Sequence, residues 1–372
     1  MVARYAAKGG VDVLLIDKER VLGERVCGEG ISQRGLADAQ LPSQDCIRVP
    51  VYRVEIHGPR GASVALESPG RAFGYIVDKP EFLSSLAEAA QAAGADIRLR
   101  TRLIHIARTS DGFAARLRTP EGVVHVHARA VAGCDGIGSF VWRSLVGPWR
   151  TELVSCYQYR MSGVRCEDET LYFFVGSNVA PGGYAWIFPR GEGEANVGLG
   201  VRGTNPRPFL KKFVRDHELY FRNARIVKRG AWAVPVGGPL PRCVFDRLIF
   251  CGDAAGHVMP ITGGGIRSSL LAGREAGRVL AKALRHNALD ARSLSDFLYS
   301  YHRVYGCYLL RGLKARYIAD HLTDRDLHDL ITIVRAEDLV RAASGRGLTP
   351  IILRLLSKPR LFLKLLYLYL VT

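Results

Sequence analysis

The chain has 372 residues, enough for two domains. Its 48% hydrophobic and 23% charged residues are the make-up of an ordinary globular protein and exclude a disordered chain. Lys and Arg number 52 against 35 Asp and Glu, a formal charge of +17 that calls for an anionic partner: nucleic acid, an anionic lipid surface or a phosphorylated substrate. No zinc finger, clustered basic helix or aromatic–glycine ribonucleoprotein pattern is present, which disfavours nucleic acid.

In chain order, "VARYAAKGG" reads as the tail of a helix ending at a glycine C-cap, and "VDVLLID" (11–17) as a buried parallel strand closed by an acid. Together they form the second half of a βαβ nucleotide-binding unit. In such units the closing acid, here Asp17, hydrogen-bonds a ribose; its plainer role is a solvated strand-end carboxylate. The expectation is that Met1 is an internal methionine and that about 15 or more residues, a strand and a glycine-rich turn, are missing before it. "ERVCGEGIS" (24–32) then places Gly28 and Gly30 where the backbone can pass close to a ligand, with Cys27 immediately before them.

"YRVEIHGPRGASVALES" (52–68) alternates as an antiparallel hairpin does. Residues 75–108 read as a strand end, a proline at a helix start, an alanine-rich helix, a cap at Gly94 and a further strand. "VVHVHARAVAGCDGIGSFVWRSLVG" (123–147) reads as one strand entering a tight C-D-G turn, then a helix. His125 and His127 share a strand face, but with no third ligand in sight an exposed hairpin face is favoured over a metal site. Eight cysteines without a C-x-x-C pair suggest reduced cytosolic thiols.

From 151 to about 240 the chain is antiparallel in flavour and rich in aromatics and glycines, which suits a sheet walling a ligand cavity. From about 243 a strand runs into "CGDAAG", and 265–372 is helical. Small residues Ala272, Gly273 and Gly277 suit close packing of the helix that follows "TGGGI". In "LRLLSKPRLFLKLLYLYL" (353–370) basic residues interleave with leucines, and two readings stand: contact with a membrane surface, or a basic helix packed on the protein's own core. The apolar run is shorter than the ~20 residues of a spanning helix, so the expected place is the cytoplasm, peripheral to a membrane.

Three segments together resemble the geranylgeranyl reductase family of flavoproteins, within the larger group that includes p-hydroxybenzoate hydroxylase. They are "VCGEGI" (26–31), "PGGYAWIFP" (181–189) and "GDAAG…TGGGI" (252–266). The second matches the family's P-x-x-Y-x-W-x-F-P signature at Pro181, Tyr184, Trp186, Phe188 and Pro189 and is the specific one; G-D-A and C-D-G turns are shared with many flavin hydroxylases. The resemblance covers nearly the whole chain and implies an α/β fold: an FAD-binding Rossmann-like domain, an antiparallel substrate domain and C-terminal helices. The division would be 1–50, 75–150 and 241–290 for the discontinuous FAD domain, 51–74 and 151–240 for the substrate domain, and 291–372 for the helical region.

The resemblance carries FAD contacts onto Asp17, Cys27, Gly28, Gly30, Asp253, Gly265 and Ile266. Lys79 stands where the family has arginine, which keeps the charge and loses the planar fork. Leu103 would face the adenine through its backbone, and Asp135 and Gly136 would shape the pyrophosphate side or only a turn. Asp253, at a strand's carboxyl end, can accept from the ribityl hydroxyls, and glycine amides opening a helix at Ile266 favour the negative edge of reduced flavin.

The implied reaction is saturation of C=C bonds in an isoprenoid lipid. Such a lipid could be a digeranylgeranylglycerol phospholipid, geranylgeranyl diphosphate, or a menaquinone or chlorophyll side chain, and the external electron donor could be NAD(P)H or ferredoxin. Tyr184 and Trp186, on one sheet face, would line the tunnel and stabilise developing cation; Cys27 would donate a proton, gate, or be inert. Two alternatives are weighed against this: a flavin monooxygenase or halogenase of the same fold, and a truncated chain with impaired FAD binding.

Overall fold

The computed structural model describes residues 1–335, 337–338 and 349–371. α1 (Val2–Lys8) ends at Gly9, and Gly10 takes the left-handed φ of 77° that releases the chain into β1 (Leu14–Ile16). Strand β2 (Gly30–Ser32) leads into α2 (Gln33–Ala39), whose N-cap Ser32 accepts from the Gly35 amide. Strands β3 (Ile47–Val51), β4 (Arg53–His57), β5 (Ser63–Glu67) and β6 (Gly74–Val77) follow. Asp78 caps α3 (Lys79–Gln91), Pro80 sits in its first turn, and Gly94 at φ 101° turns the chain towards β7 (Asp96–Arg98).

β1 and β7 pair in parallel, Leu14 opposite Asp96. β1 is half-buried rather than fully buried, because it is paired along one edge. β8 (Arg102–Arg108), β9 (Phe113–Thr119) and β10 (Gly122–Ala128) form a separate antiparallel sheet. The stretch 123–133, read from sequence as one strand, is two: β10 ends at Ala128, and β11 (Val131–Gly133) pairs in parallel with residues 248–250 in another sheet. Alternation is continuous across the break, so periodicity alone does not reveal it.

After α4 (Phe140–Leu145) comes the large sheet: β12 (Leu153–Ser162), β13 (Thr170–Val175), β14 (Tyr184–Gly191) and β15 (Glu194–Val201), then α5 (Pro206–Asp216), α6 (Glu218–Phe221) and β16 (Arg225–Pro235). Its strand order is β16-β12-β15-β14-β13-β4-β5, antiparallel except for β13 on β4. β14 shows why the sheet has two working faces. Ala185 and Ile187 enter the core that Leu210, Phe213 and Phe221 of α5 and α6 complete, while Trp186 and Phe188 point the other way, towards Val49 and Val51 of β3 and Ile76 of β6. The small sheet β2-β6-β3 thus backs the large one, and the expected boundary at 74/75 falls inside β6.

β17 (Val244–Phe245) and β18 (Leu248–Phe250) return the chain to the nucleotide side, where Leu248, Ile249 and Phe250 are fully buried. At ~1.5–3 kcal/mol for each such side chain, this short strand anchors the turn that follows it. α7 (Ile266–Arg285) lies against α1; a Cβ at Gly273 would come 2.8 Å from Met1 Cβ, and one at Gly277 2.6 Å from the Val2 carbonyl. The described chain closes with helices that include α8 (Ala291–Leu294), α9 (Asp296–Tyr301), α10 (Cys307–Asp320), α11 (Asp324–Ile333), α12 (Thr349–Leu355) and α13 (Pro359–Val371). No described helix is long and apolar enough to cross a membrane.

Candidate active site

A cavity of about 740 Å³ lies between the large sheet, the small sheet and the loop before α7. Cys27, Gly28 and Gly30 form one wall, Tyr184 and Trp186 another, and Gly265 and Ile266 a third. Phe173, Tyr184, Trp186, Phe188 and Trp232 make one aromatic surface, with ring centroids 5.2–6.2 Å apart between neighbours. Glycines on the next strand make room for it. Gly198 stands opposite Trp186 and Gly200 opposite Tyr184. A Cβ at 198 would lie 2.5 Å from the indole, and one at 200 would lie 2.6 Å from Val154 and 3.2 Å from the Cys156 sulfur.

The hydroxyl of Tyr184 donates to the Thr262 carbonyl, tying the aromatic wall to the glycine loop. Burial pushes its phenol up, and the nearby thiols of Cys156 and Cys27 add to the effect. The Cys27 thiol is also pushed up, by burial first, against the lowering influence of Lys79. Both groups therefore stay neutral at physiological pH.

Cys27 and Gly28 are held from behind by a buried polar network to which the sequence reading assigned no role. Gln158 donates to the Cys27 carbonyl at 2.9 Å and to Asn196 Oδ1 at 3.1 Å, and receives the Trp186 indole N–H at 3.3 Å. Asn196 Nδ2 donates to Glu29 Oε2 at 2.7 Å and reaches the Gly28 carbonyl at 3.4 Å. Glu29 is buried with a left-handed φ of 64°, and its carboxylate is clamped between Arg190 and Arg160, the latter 3.0 Å away. Arg190 continues to Asp78 at 3.2 Å. One signal was visible in sequence: a glutamate between two glycines, in a loop that must lie against a ligand.

Behind the third wall, and not itself lining the cavity, Asp253 follows β18 in a short 3₁₀ turn (Gly252–Ala255), and α7 opens after Gly265. A Cβ at Gly265 would sit 3.5 Å from Asp253 Oδ1, so the carboxylate borders the glycine loop directly. Burial raises the Asp253 pKa, opposed by the charge of Lys79, so Cys27, Lys79 and Asp253 lie within electrostatic reach of one another. Among the described residues no N–H or O–H donates to the Asp253 carboxylate. A half-buried acceptor without a protein donor, next to the bare amides of a helix start, fits a hydroxyl-bearing cofactor with a negative edge. FAD has both features.

The remaining expected contacts lie elsewhere. Asp17 ends β1, where its carboxylate accepts from the Glu19 amide at 2.8 Å and its carbonyl from Thr101 N at 2.8 Å; it does not line the cavity. Leu103 of β8 faces Leu117 of β9 and packs against the nucleotide-side core. Asp135 is occupied locally, accepting from Ser139 Oγ and from the Val141 amide at 3.0 Å, which secures the start of α4. Gly136 takes the left-handed φ of 77° required by that turn. Lys79 Nζ also donates to the Arg25 carbonyl at 3.3 Å. His127 pairs with Asp111 at 3.0 Å, and among the described residues no group of three or more His, Cys, Asp or Glu could hold a metal.

A parallel-strand nucleotide half, a glycine–aspartate turn feeding a long helix, and an aromatic cavity on an antiparallel sheet define an FAD-dependent oxidoreductase. The comparisons sharpen this class. A family model described as an FAD binding domain matches residues 1–178, and one described as a geranylgeranyl reductase catalytic domain matches 152–234. Two relatives named digeranylgeranylglycerophospholipid reductase 2 are similar along their length. One, from Methanopyrus kandleri, is 35% identical over 98% of this chain and 94% of its own; the other, from Methanothermobacter thermautotrophicus, is 36% identical over 91% and 89%. The solved structure of a geranylgeranyl bacteriochlorophyll reductase-like protein from Thermoplasma acidophilum superposes with a TM-score of 0.86 at 28% identity, covering 99% of this chain and 95% of that one. An FAD-bound halogenase shares the fold at a TM-score of 0.66 and 13% identity. The chain belongs to the geranylgeranyl reductase family, and its cofactor is FAD.

Proposed function

We propose that the cavity receives the geranylgeranyl chain of a glycerophospholipid and that its double bonds are saturated there, with the protein resting peripherally on the membrane that holds the lipid. The observation that carries this reading is the aromatic wall of Tyr184, Trp186 and their neighbours facing the Cys27 loop across a largely apolar cavity of about 740 Å³. The names of the two archaeal relatives support a phospholipid.

Converting R₂C=CHR′ to R₂CH–CH₂R′ consumes one proton and one hydride. FAD, in the reading held by Cys27–Gly30, Asp253, Gly265 and Ile266, supplies the hydride when bound in its reduced form; an external donor of the NAD(P)H or ferredoxin class must replenish it. An isolated alkene has no carbonyl to take up electrons, so positive charge develops at the tertiary carbon as the proton arrives. Tyr184 and Trp186 offer π faces to that charge. A phenolate or thiolate at this place would capture the cation, and burial prevents both by keeping Tyr184 and Cys27 protonated. Cys27, with its thiol on the cavity wall, is assigned the delivery of the proton in step with hydride arrival, so that the thiolate it becomes never faces a free cation, and it takes a proton back from solvent before the next turnover.

The test is anaerobic. Protein supplied with FAD and reduced with dithionite should be reoxidised by a digeranylgeranyl phospholipid, with a product heavier by two hydrogens per double bond. No reoxidation by the lipid without oxygen, turnover of the lipid only in air with an added oxygen or halogen in the product, or a protein that stays colourless with FAD overturns the reading.

A further inference from the structure

The C-terminal helices bury Leu355, Leu361 and Leu368, yet they also turn most of their charges inward and leave a second set of leucines outward. Lys364 of α13 lies 2.6 Å from the buried Asp326 of α11, and Lys358 lies 2.8 Å from Asp329 of the same helix. Arg354 of α12 pairs with the buried Asp338. Thr323 caps α11 through Asp326 as well, so the acid that anchors α13 is itself fixed by the helix it starts. A helix resting on a protein core normally has one apolar stripe, turned inward, and a polar outer face; here Leu361 and Leu368 make the inner stripe and the outer face is apolar too.

The outward stripe of α13 is Leu363, Leu366, Tyr367 and Leu370, at the i, i+3, i+4, i+7 spacing of one helical face. Leu363 is 62% exposed and Leu370 72%. The surface continues onto α10. Lys314 sits over the ring of Tyr369 at 3.8 Å, and Leu310 and Tyr317, one turn to either side of it, are exposed. Isolated exposed leucines need no explanation, whereas a helix that spends its cations on internal ion pairs and shows its leucines to water does.

We propose that this α10–α13 face is the membrane-docking surface, with its leucines and tyrosines entering the interfacial layer of an anionic bilayer. This rests on the reading of a membrane phospholipid as substrate. Two observations select the bilayer as occupant. The first is charge: residues 339–372 contain no Asp or Glu, and Arg360 and Arg311 stay exposed at the borders of the apolar stripe, placed for anionic headgroups. The second is continuity with the cavity: Ala319 and Asp320 of α10 and Leu327 of α11 line it, and α11 is the helix to which Lys358 and Lys364 tie α13. A lipid chain leaving the bilayer at this face has a short path to the aromatic wall. The sequence reading had the interleaved basic residues facing either the lipid or the core; in the structure three of them serve the fold, which leaves insertion mainly to the apolar side chains.

The experiment uses the full chain and phosphatidylglycerol–phosphatidylcholine vesicles free of isoprenoid lipid. The wild type should co-sediment with the vesicles and retain most binding in high salt. A combined Leu363→Ser, Leu366→Ser, Leu370→Ser variant should bind about tenfold or more weakly. These positions are exposed, so folding should be intact, and turnover of a geranylgeranyl lipid dispersed in detergent should equal the wild type's. Equal vesicle binding by variant and wild type, or no binding by the wild type, overturns the docking surface. A lipid-free dimer abolished by the same substitutions would assign the face to a second copy and overturn it too. Loss of turnover by the wild type in detergent would instead count against the substrate reading, so the two failures are distinct.

Discussion

Trp186 stands directly across from Gly198 on the neighbouring strand, and the missing side chain at 198 leaves the space that the indole fills. Substituting Gly198→Ala would place a methyl 2.5 Å from the ring and force Trp186 to move. Overpacking of this kind costs ~1–3 kcal/mol, and 1.4 kcal/mol corresponds to about tenfold in a rate or binding constant. The expected result is kcat/KM lower by about tenfold or more, with circular dichroism unchanged. Full activity would mean that the position of the indole does not matter to the reaction.

Glu29 and Arg190 form a buried pair beneath the Cys27 loop. Removing one partner leaves the other charge desolvated, which costs ~3–5 kcal/mol. Glu29→Ala should therefore lower the urea midpoint well beyond what a surface substitution does, and added salt should not mask the difference, because the pair is out of solvent. If the midpoint is unchanged, the network is not holding this loop.

Cys27 should behave as a reluctant nucleophile. Burial raises its pKa, so the thiolate is scarce at neutral pH. Alkylation by iodoacetamide, followed by peptide mass analysis, should be slow at pH 7 and should accelerate only above pH 9. Rapid labelling at pH 7 would contradict the neutral thiol on which the proton-delivery reading depends.

His257 is buried among Phe297 and Tyr301, its ring 4.4 Å from the latter's centroid, and burial lowers its pKa to about 3. In the unfolded chain the same group titrates near ~6.5. The folded value is the lower one, so its contribution to stability is complete above about pH 6.5 and is lost as pH falls towards 3. Between pH 7 and 4 the wild type should lose stability to urea relative to His257→Phe by up to about 1.4 kcal/mol per pH unit within that window. Parallel profiles would show that His257 does not titrate in this way.

Much of the candidate site could be read from local pattern. Tyr184 and Trp186 share a face because strand geometry has a period of two, and Gly265 and Ile266 open a helix because glycines followed by an apolar periodic run leave few other conformations. Two features resisted that kind of reading. The split at Ala128 was hidden because β10 and β11 continue one alternation while pairing with different partners. The role of Glu29 was hidden because its partners Asn196 and Arg190 lie more than 150 residues away.

The amino-acid order alone fixed what depends on near neighbours: the strand and helix periods, the glycine positions where a ligand can approach, and the signature that marks the family. Tertiary structure alone decided which way charged side chains face, since a lysine's orientation is set by whichever carboxylate the fold brings to it. Lys364 shows this most directly: its sequence neighbours are leucines, and only the packing of α11 against α13 turns it towards Asp326 and leaves Leu363 and Leu366 facing outward.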